Sequence, residues 1–355
     1  MTVYSPGENE ESATRDGVEV HLLATRDVSL TSRIGFLRRA TQAIRRDPSS
    51  ARVVHFHGEP EAGYLGLRDR CAQVLTYDNF RFRGLRRPRL RSAYRRVFDA
   101  FDALCPCSRY CAEESAAYWG LRPERLTVLY NGVNTVQFAP DPARGAEERR
   151  HLGIDDEGDD LLLYIGRVTE QKGSDLLLDA LPRIRAARPS AKLVVAGPIE
   201  QFLPGVREES RRRWTRRFEG AGATYLGPVP EERLAGLYNA ADVFVMPTRE
   251  LEMFGMAAVE AQACGTPVVA SDHGGLRETV PAEVGGRFPV DDADALAQTV
   301  LGVLEDEGGR AALGEHARRH AAQFSWERIA SDALGIYDAC LQRRASRNGG
   351  RHRAA

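Results

Sequence analysis

Short apolar runs alternate with amphipathic stretches along most of this chain. Residues 53–56, 161–165, 192–196, 243–246 and 267–270 are compact runs of aliphatic and β-branched residues, the pattern of strands buried on both faces. Between them, segments such as 175–188 and 231–240 carry apolar positions at helical spacing. Strand–helix alternation of this kind predicts parallel sheets with helices on both faces, here twice over.

Residues 141–160 are polar, with Pro142 and Gly145 as breakers, and the rhythm restarts at Leu161. This places one domain at 1–140 and a second at 141–325. Residues 326–341 read as an amphipathic helix, with 326–342 as the corresponding segment, and 343–355 as a disordered basic tail. The beginning departs from the rhythm: 2–5 and 18–23 read as strands with no helix between them. A doubly wound domain needs a central first strand followed by a helix, and losing that strand would orphan backbone groups in the core. The expectation is an N-terminal domain lacking its first strand and helix, through a misassigned start; the other reading is a rearranged domain.

A length of 355 residues fits two domains of roughly 150 residues each. The apolar fraction is 43%, the charged fraction 28% and the net charge −1, as in an ordinary folded protein. The first 140 residues are net basic and the rest net acidic, too mildly to imply nucleic-acid binding. No apolar stretch reaches the roughly 18 residues of a membrane helix, and no signal sequence opens the chain, so a cytoplasmic location is expected. Six Cys do not make a disulfide scaffold in a chain of this length. Among 49 basic residues only Lys172 and Lys192 are lysines, so a lysine retained where Arg is the default cation is mildly informative.

The densest chemistry lies at 242–279. A loop after the strand 243–246 carries Glu252 and ends at Phe254-Gly255. It is followed by a short segment, 256–264, that is apolar on nearly every side. Such a helix is buried, and Glu260 within it must find hydrogen-bond donors or be neutralised. Sugar or ribose hydroxyls would serve; the alternative has Glu260 capping a neighbouring backbone and Glu252 as a solvated loop charge. A second constellation is Gly166-Arg167 followed by Lys172-Gly173. It sets a guanidinium, an ammonium and helix N–H groups around one spot, with Ser174 available as a cap. That is a suitable cradle for a diphosphate, the alternative being an ordinary strand–turn–helix with two surface cations.

Glu252, Phe254, Gly255, Glu260, Ala261, Ala263, Gly265 and Pro267-Val268-Val269 together resemble the glutamate-pair signature of retaining GT-B glycosyltransferases, in particular glycosyltransferase family 4. The resemblance extends from about residue 50 to 340. It implies an α/β GT-B fold of two Rossmann-like domains facing a cleft, with the helix at 326–342 crossing back to the N-terminal domain. It also implies a hexosyltransferase taking a nucleotide diphosphate sugar as co-substrate. Arg167 and Lys172 would neutralise the departing diphosphate, with Glu252 on the donor sugar hydroxyls and Glu260 on the ribose. Phe254, Gly255, Met256 and Val229 would complete the donor site, and no metal would be required.

On the acceptor side the resemblance points to His57, Glu59, Tyr77 and Asp78. Tyr77 stands where the family usually has a catalytic-site histidine, which makes a donor-binding protein without transfer activity the main alternative; a GT-B epimerase or phosphorylase is another. The acceptor is a hydroxyl compound: a polysaccharide, a glycolipid or a secondary metabolite. Glu59, Glu61 and Asp78 suit a cationic one such as an aminocyclitol. The run from Arg81 to Arg96, eight Arg in sixteen residues, suits an anionic one or weak peripheral membrane contact, although a solvated basic face explains it more simply. Asn131-Gly132-Val133-Asn134 is read as a turn, and Gly274-Gly275 either as a plain turn or as lining of the site. Cys105, Cys107 and Cys111 lack a zinc spacing and are expected to be packing residues.

Overall fold

A computed structural model describes residues 2–7, 11–15, 18–24, 30–46, 52–58, 67, 70–78, 88–155, 158–199, 207–305 and 307–352. The chain divides into two compact units. One comprises 1–107, 112–129 and 332–355, and the other 108–111 and 130–331.

In the first unit, β1 (Thr2–Gly7), β2 (Glu11–Arg15) and β3 (Val18–Ala24) form a sheet ordered β1-β3-β2. β1 runs parallel to β3 and β2 antiparallel to it. The two expected opening strands are therefore present, and a third strand, rather than a helix, joins them. Its sequence, Glu-Ser-Ala-Thr-Arg, has no apolar alternation to betray it; pairing with β3 recruits it. After α1 (Leu30–Arg46) come β4 (Val53–His57) and β5 (Ala72–Tyr77), then α2 (Pro88–Phe98), β6 (Ala103–Pro106) and α3 (Arg109–Trp119). β4, β5 and β6 make a parallel sheet in that order. The cysteines are free and buried, and burial pushes the Cys105 thiol up to about 12, so it is an uncharged packing group.

The second unit begins with α4 (Pro142–Leu152), inside the stretch read as a polar boundary. Pro142 is no breaker there. It occupies the first turn, where its missing N–H costs nothing, and the Asp141 carboxylate accepts the Arg144 N–H at 3.0 Å. Gly145 lets α4 approach α7 (Glu231–Ala240) so closely that a Cβ would lie 2.6 Å from the Asn239 carbonyl oxygen. The remaining strands are β7 (Leu161–Ile165), β8 (Lys192–Ala196), β9 (Thr224–Gly227), β10 (Val243–Met246), β11 (Val268–Ser271) and β12 (Gly285–Phe288). They form one parallel sheet ordered β12-β11-β10-β7-β8-β9.

Helices α5 (Ser174–Ala187), α6 (Arg207–Gly220), α8 (Met256–Ala263), α9 (Leu276–Thr279), α10 (Ala293–Leu304) and α11 (Glu307–Ala321) complete the unit's layers. α5 packs with α10 over a core that includes Leu177, Ile184, Val195, Val245 and Val300, while α8 packs on α11. The 131–134 turn is tied in as well: the Val133 N–H donates to the Phe324 carbonyl at 2.7 Å.

α12 runs from Trp326 to His352, past the point where a disordered tail was expected. Arginine is a good helix former, and Arg344 pairs with Asp102 at 3.1 Å within the first unit, giving the basic segment a partner. Of the described residues, no helix is long and apolar enough to cross a membrane.

One buried charge network joins the start of the second unit to its sheet. Arg149 donates to the carbonyls of Asp155 and Asp159 at 2.7 Å, to that of Ala240 at 2.9 Å, and to the Asp242 carboxylate at 3.1 Å. Asp242 also accepts the Leu161 N–H, at 2.7 Å. Arg149→Met should therefore lower unfolding stability by ~3 kcal/mol, since three carbonyls lose a charged donor and the Asp242 carboxylate loses one of its partners. Urea denaturation of the two proteins measures it.

Candidate active site

β7 and β10 are neighbours, and the loops leaving their C-terminal ends meet at the edge where open α/β sheets bind ligands. The loop after β7 carries Arg167 and Lys172. The Tyr164 hydroxyl donates to the Arg167 carbonyl at 2.6 Å, and the Thr169 hydroxyl accepts the Lys172 N–H at 3.1 Å. Gly173 closes the loop at φ 74°, and a Cβ there would lie 1.8 Å from the Pro247 carbonyl oxygen. Only glycine allows this approach. Gly173, not Ser174, is the residue that caps α5; Ser174 is already inside the helix.

The loop after β10 is locked to the first. The N–H groups of Arg249 and Glu250 both donate to the Gln171 carbonyl, at 2.8 and 3.0 Å. The Arg249 guanidinium reaches the Asp175 carboxylate at 2.7 Å, and both Asp291 and the Glu170 carbonyl at 2.6 Å. The charged side chains stand on this fixed backbone. Lys172 Nζ lies 2.8 Å from Glu252 Oε2 and 3.5 Å from Glu250 Oε2, and Arg167 Nη2 lies 3.4 Å from Glu250 Oε2. Two cations and two carboxylates thus share one spot.

Behind Glu252, the Gly275 N–H donates to its carbonyl at 2.7 Å. The Gly274-Gly275 turn packs against the Glu252–Phe254 backbone so tightly that a Cβ on Gly275 would lie 2.1 Å from the Met253 carbonyl oxygen. His273, just before the turn, donates from Nε2 to the Thr248 carbonyl at 3.0 Å. Burial holds its pKa below the ordinary histidine value, with that carbonyl and Glu252 pulling the other way.

Gly255 at φ 94° starts α8, with Met256 as its first residue. Glu260 lies on this helix, and its Oε2 accepts the hydroxyl of the fully buried Tyr238 at 2.9 Å. Burial pushes the Glu260 carboxyl above its ordinary value, the tyrosine bond opposes this, and Glu231 adds to it. Phe254 is only 3% exposed, its ring packed against Tyr130 and Phe324, so it anchors the loop by its side chain. Val229 sits half-buried in the loop after β9.

In the first unit, His57 ends β4 with Nδ1 2.7 Å from the Thr76 hydroxyl, and its ring stacks on His55 at 4.3 Å. Burial lowers its pKa, with Asp78 opposing. Tyr77 is 2% exposed, so its ring belongs to the core, and its expected place on the acceptor side is corrected. The next residue, Asp78, lies just past the end of β5 and is exposed. Glu59 and Glu61 lie outside the described residues, as does 81–87 of the arginine run; Arg95 and Arg96 are exposed on α2.

Glu250, His273 and Tyr238 were missed in the sequence. Glu250 stands two positions before Glu252, a spacing that carries no signal by itself.

The comparisons bear on this geometry. The family model for glycosyl transferases group 1 matches residues 146–320, and that for glycosyltransferase family 4 matches 1–137. The D-inositol 3-phosphate glycosyltransferase of Kribbella flavida is 30% identical over 312 residues, covering 82% of this chain and 72% of that protein. The chain belongs to glycosyltransferase family 4. The corresponding protein of Jonesia denitrificans is 35% identical over 237 residues, 64% of this chain, and the match spans only 54% of that relative's length. The fold is of the GT-B type, shared with an Anabaena protein solved in complex with UDP and glucose. The TM-score is 0.72 at 20% identity, over 91% of this chain and 86% of that one.

The raised Glu260 carboxyl has a consequence for the stability of this family member. Below the ordinary glutamate range the residue is protonated both folded and unfolded. As pH rises through that range the unfolded carboxyl ionises while the buried one resists, and stability is lost. Glu260→Gln, which keeps an acceptor for Tyr238, should therefore melt higher than the parent at pH 7, with the gap closing towards pH 4 in thermal unfolding.

Proposed function

We propose that the chain is a retaining, nucleotide-sugar-dependent glycosyltransferase that moves a hexose from a nucleoside diphosphate donor to a hydroxyl acceptor. The observation that carries this reading is the meeting of Arg167, Lys172 and Glu252 on two interlocked loops in a family 4 chain. The donor diphosphate would lie against Arg167 and Lys172, whose charge stabilises it as it departs. Glu252 would accept from the donor sugar hydroxyls and Glu260 from the ribose, with Gly255, Met256 and Val229 contributing to the surround. Gly255 and Met256 open α8, whose first N–H groups lack partners within the helix and suit an anion. Phe254 would act through packing. With these groups supplying positive charge, the reading needs no metal.

Of the described acceptor-side residues, His57 ends β4 and Asp78 follows the end of the adjacent β5, both exposed. Asp78, beside His57, would orient an acceptor hydroxyl. The departing phosphate, rather than a protein base, would take the acceptor proton on the same face of the sugar, which retains configuration. D-inositol 3-phosphate, named for the relatives, is the first acceptor to test. The buried Tyr77 favours one second reading, a donor-binding protein that does not transfer.

Incubation with UDP-, GDP- and ADP-hexoses and a panel of polyol acceptors should release nucleoside diphosphate and give a product with the donor's anomeric configuration by NMR. Donor binding with neither release nor product would establish the second reading. Lys172→Met should lower kcat/KM by about 100-fold or more. Glu260→Ala should weaken donor binding severely in calorimetry, and unchanged affinity would remove Glu260 from the site.

A further inference from the structure

The Glu250 side chain has no part in the chemistry above, yet it touches both cations. Its Oε2 lies 3.4 Å from Arg167 Nη2 and 3.5 Å from Lys172 Nζ, while Glu252 holds Lys172 from the other side at 2.8 Å. The cradle is thus neutral overall, two positive charges against two negative. An entering diphosphate, anionic itself, meets no net attraction until a carboxylate leaves.

Two features separate the Glu250 side chain from the framework. Its backbone is fixed independently: its N–H donates to the Gln171 carbonyl at 3.0 Å and to the Thr248 hydroxyl at 3.2 Å, and its carbonyl accepts from that hydroxyl. Its carboxylate, by contrast, is 28% exposed and stands 3.4 and 3.5 Å from the two cations. The side chain can turn toward solvent while the loop backbone keeps its bonds, and solvent-screened ion pairs of this kind are weak.

We propose that Glu250 is an internal counter-ion that occupies the diphosphate cradle in the free protein and is displaced by the donor, thereby setting donor affinity. This rests on the reading of Arg167 and Lys172 as diphosphate ligands. A carboxylate that competes for the cations weakens binding of any diphosphate, whatever sugar or nucleoside it carries. It also lowers the salt sensitivity of binding, because the cradle's net charge is smaller. A role confined to packing would move neither quantity.

The test uses inorganic pyrophosphate and UDP as probes, titrated calorimetrically into the full chain, Glu250→Gln and Lys172→Gln at two salt concentrations. Thermal unfolding checks that each variant is folded. Glu250→Gln keeps the backbone bonds and removes only the charge. It should bind both probes about fivefold to tenfold tighter, with a steeper loss of affinity on adding salt. Affinity that is unchanged or weaker in Glu250→Gln, while Lys172→Gln abolishes binding, overturns the counter-ion but leaves the diphosphate cradle standing. Binding of both probes that is indifferent to Lys172→Gln, or absent in all three proteins, overturns the cradle and the counter-ion with it.

Discussion

The candidate site depends on a single carbonyl. Gln171, in the loop after β7, accepts the N–H groups of two consecutive residues in the loop after β10. The Arg249 side chain then donates across the same seam to the Glu170 carbonyl and the Asp175 carboxylate. Neither loop has a ladder of its own, and without this exchange each would leave backbone groups unpaired at the sheet edge. With it, Arg167, Lys172, Glu250 and Glu252 are presented from one rigid backbone, and the close approach of Gly173 to Pro247 makes the fit irreducible.

The second unit was the more legible in sequence because its strands are continuous apolar runs and its helices keep a clear period. Leu161–Ile165 and Val243–Met246 could be little else than buried parallel strands, and the structure has both at those bounds. The failures have physical causes. Pro142 and Gly145 read as breakers because a helix start and a helix–helix crossing use the same residues as a loop. β2 was invisible because an edge strand takes its conformation from its neighbour. Arg344 was assigned to a disordered tail because its partner, Asp102, lies far away in sequence.

At the site, a family pattern could point to Arg167, Lys172, Glu252 and Glu260, but not to what each touches in the free protein. Glu260 meets Tyr238 on another helix, and Lys172 meets a second carboxylate, neither contact being periodic or local. Tyr77 shows the limit from the other side: a position picked out by a motif's neighbourhood turned inward, and the polar residue beside it took the outward place. β5 is buried along nearly its whole length, so it is the residue past its end that reaches solvent.

The Gln171 lock also separates what can vary from what cannot. Its bonds run through main-chain atoms at Arg249 and Glu250, so they place few demands on which side chains stand at 250 and 252. A lineage can exchange charge, length or polarity there by single substitutions while the loops keep their shape. Selection on substrates could then proceed with little penalty to folding, and such a scaffold would diversify by recolouring a fixed surface.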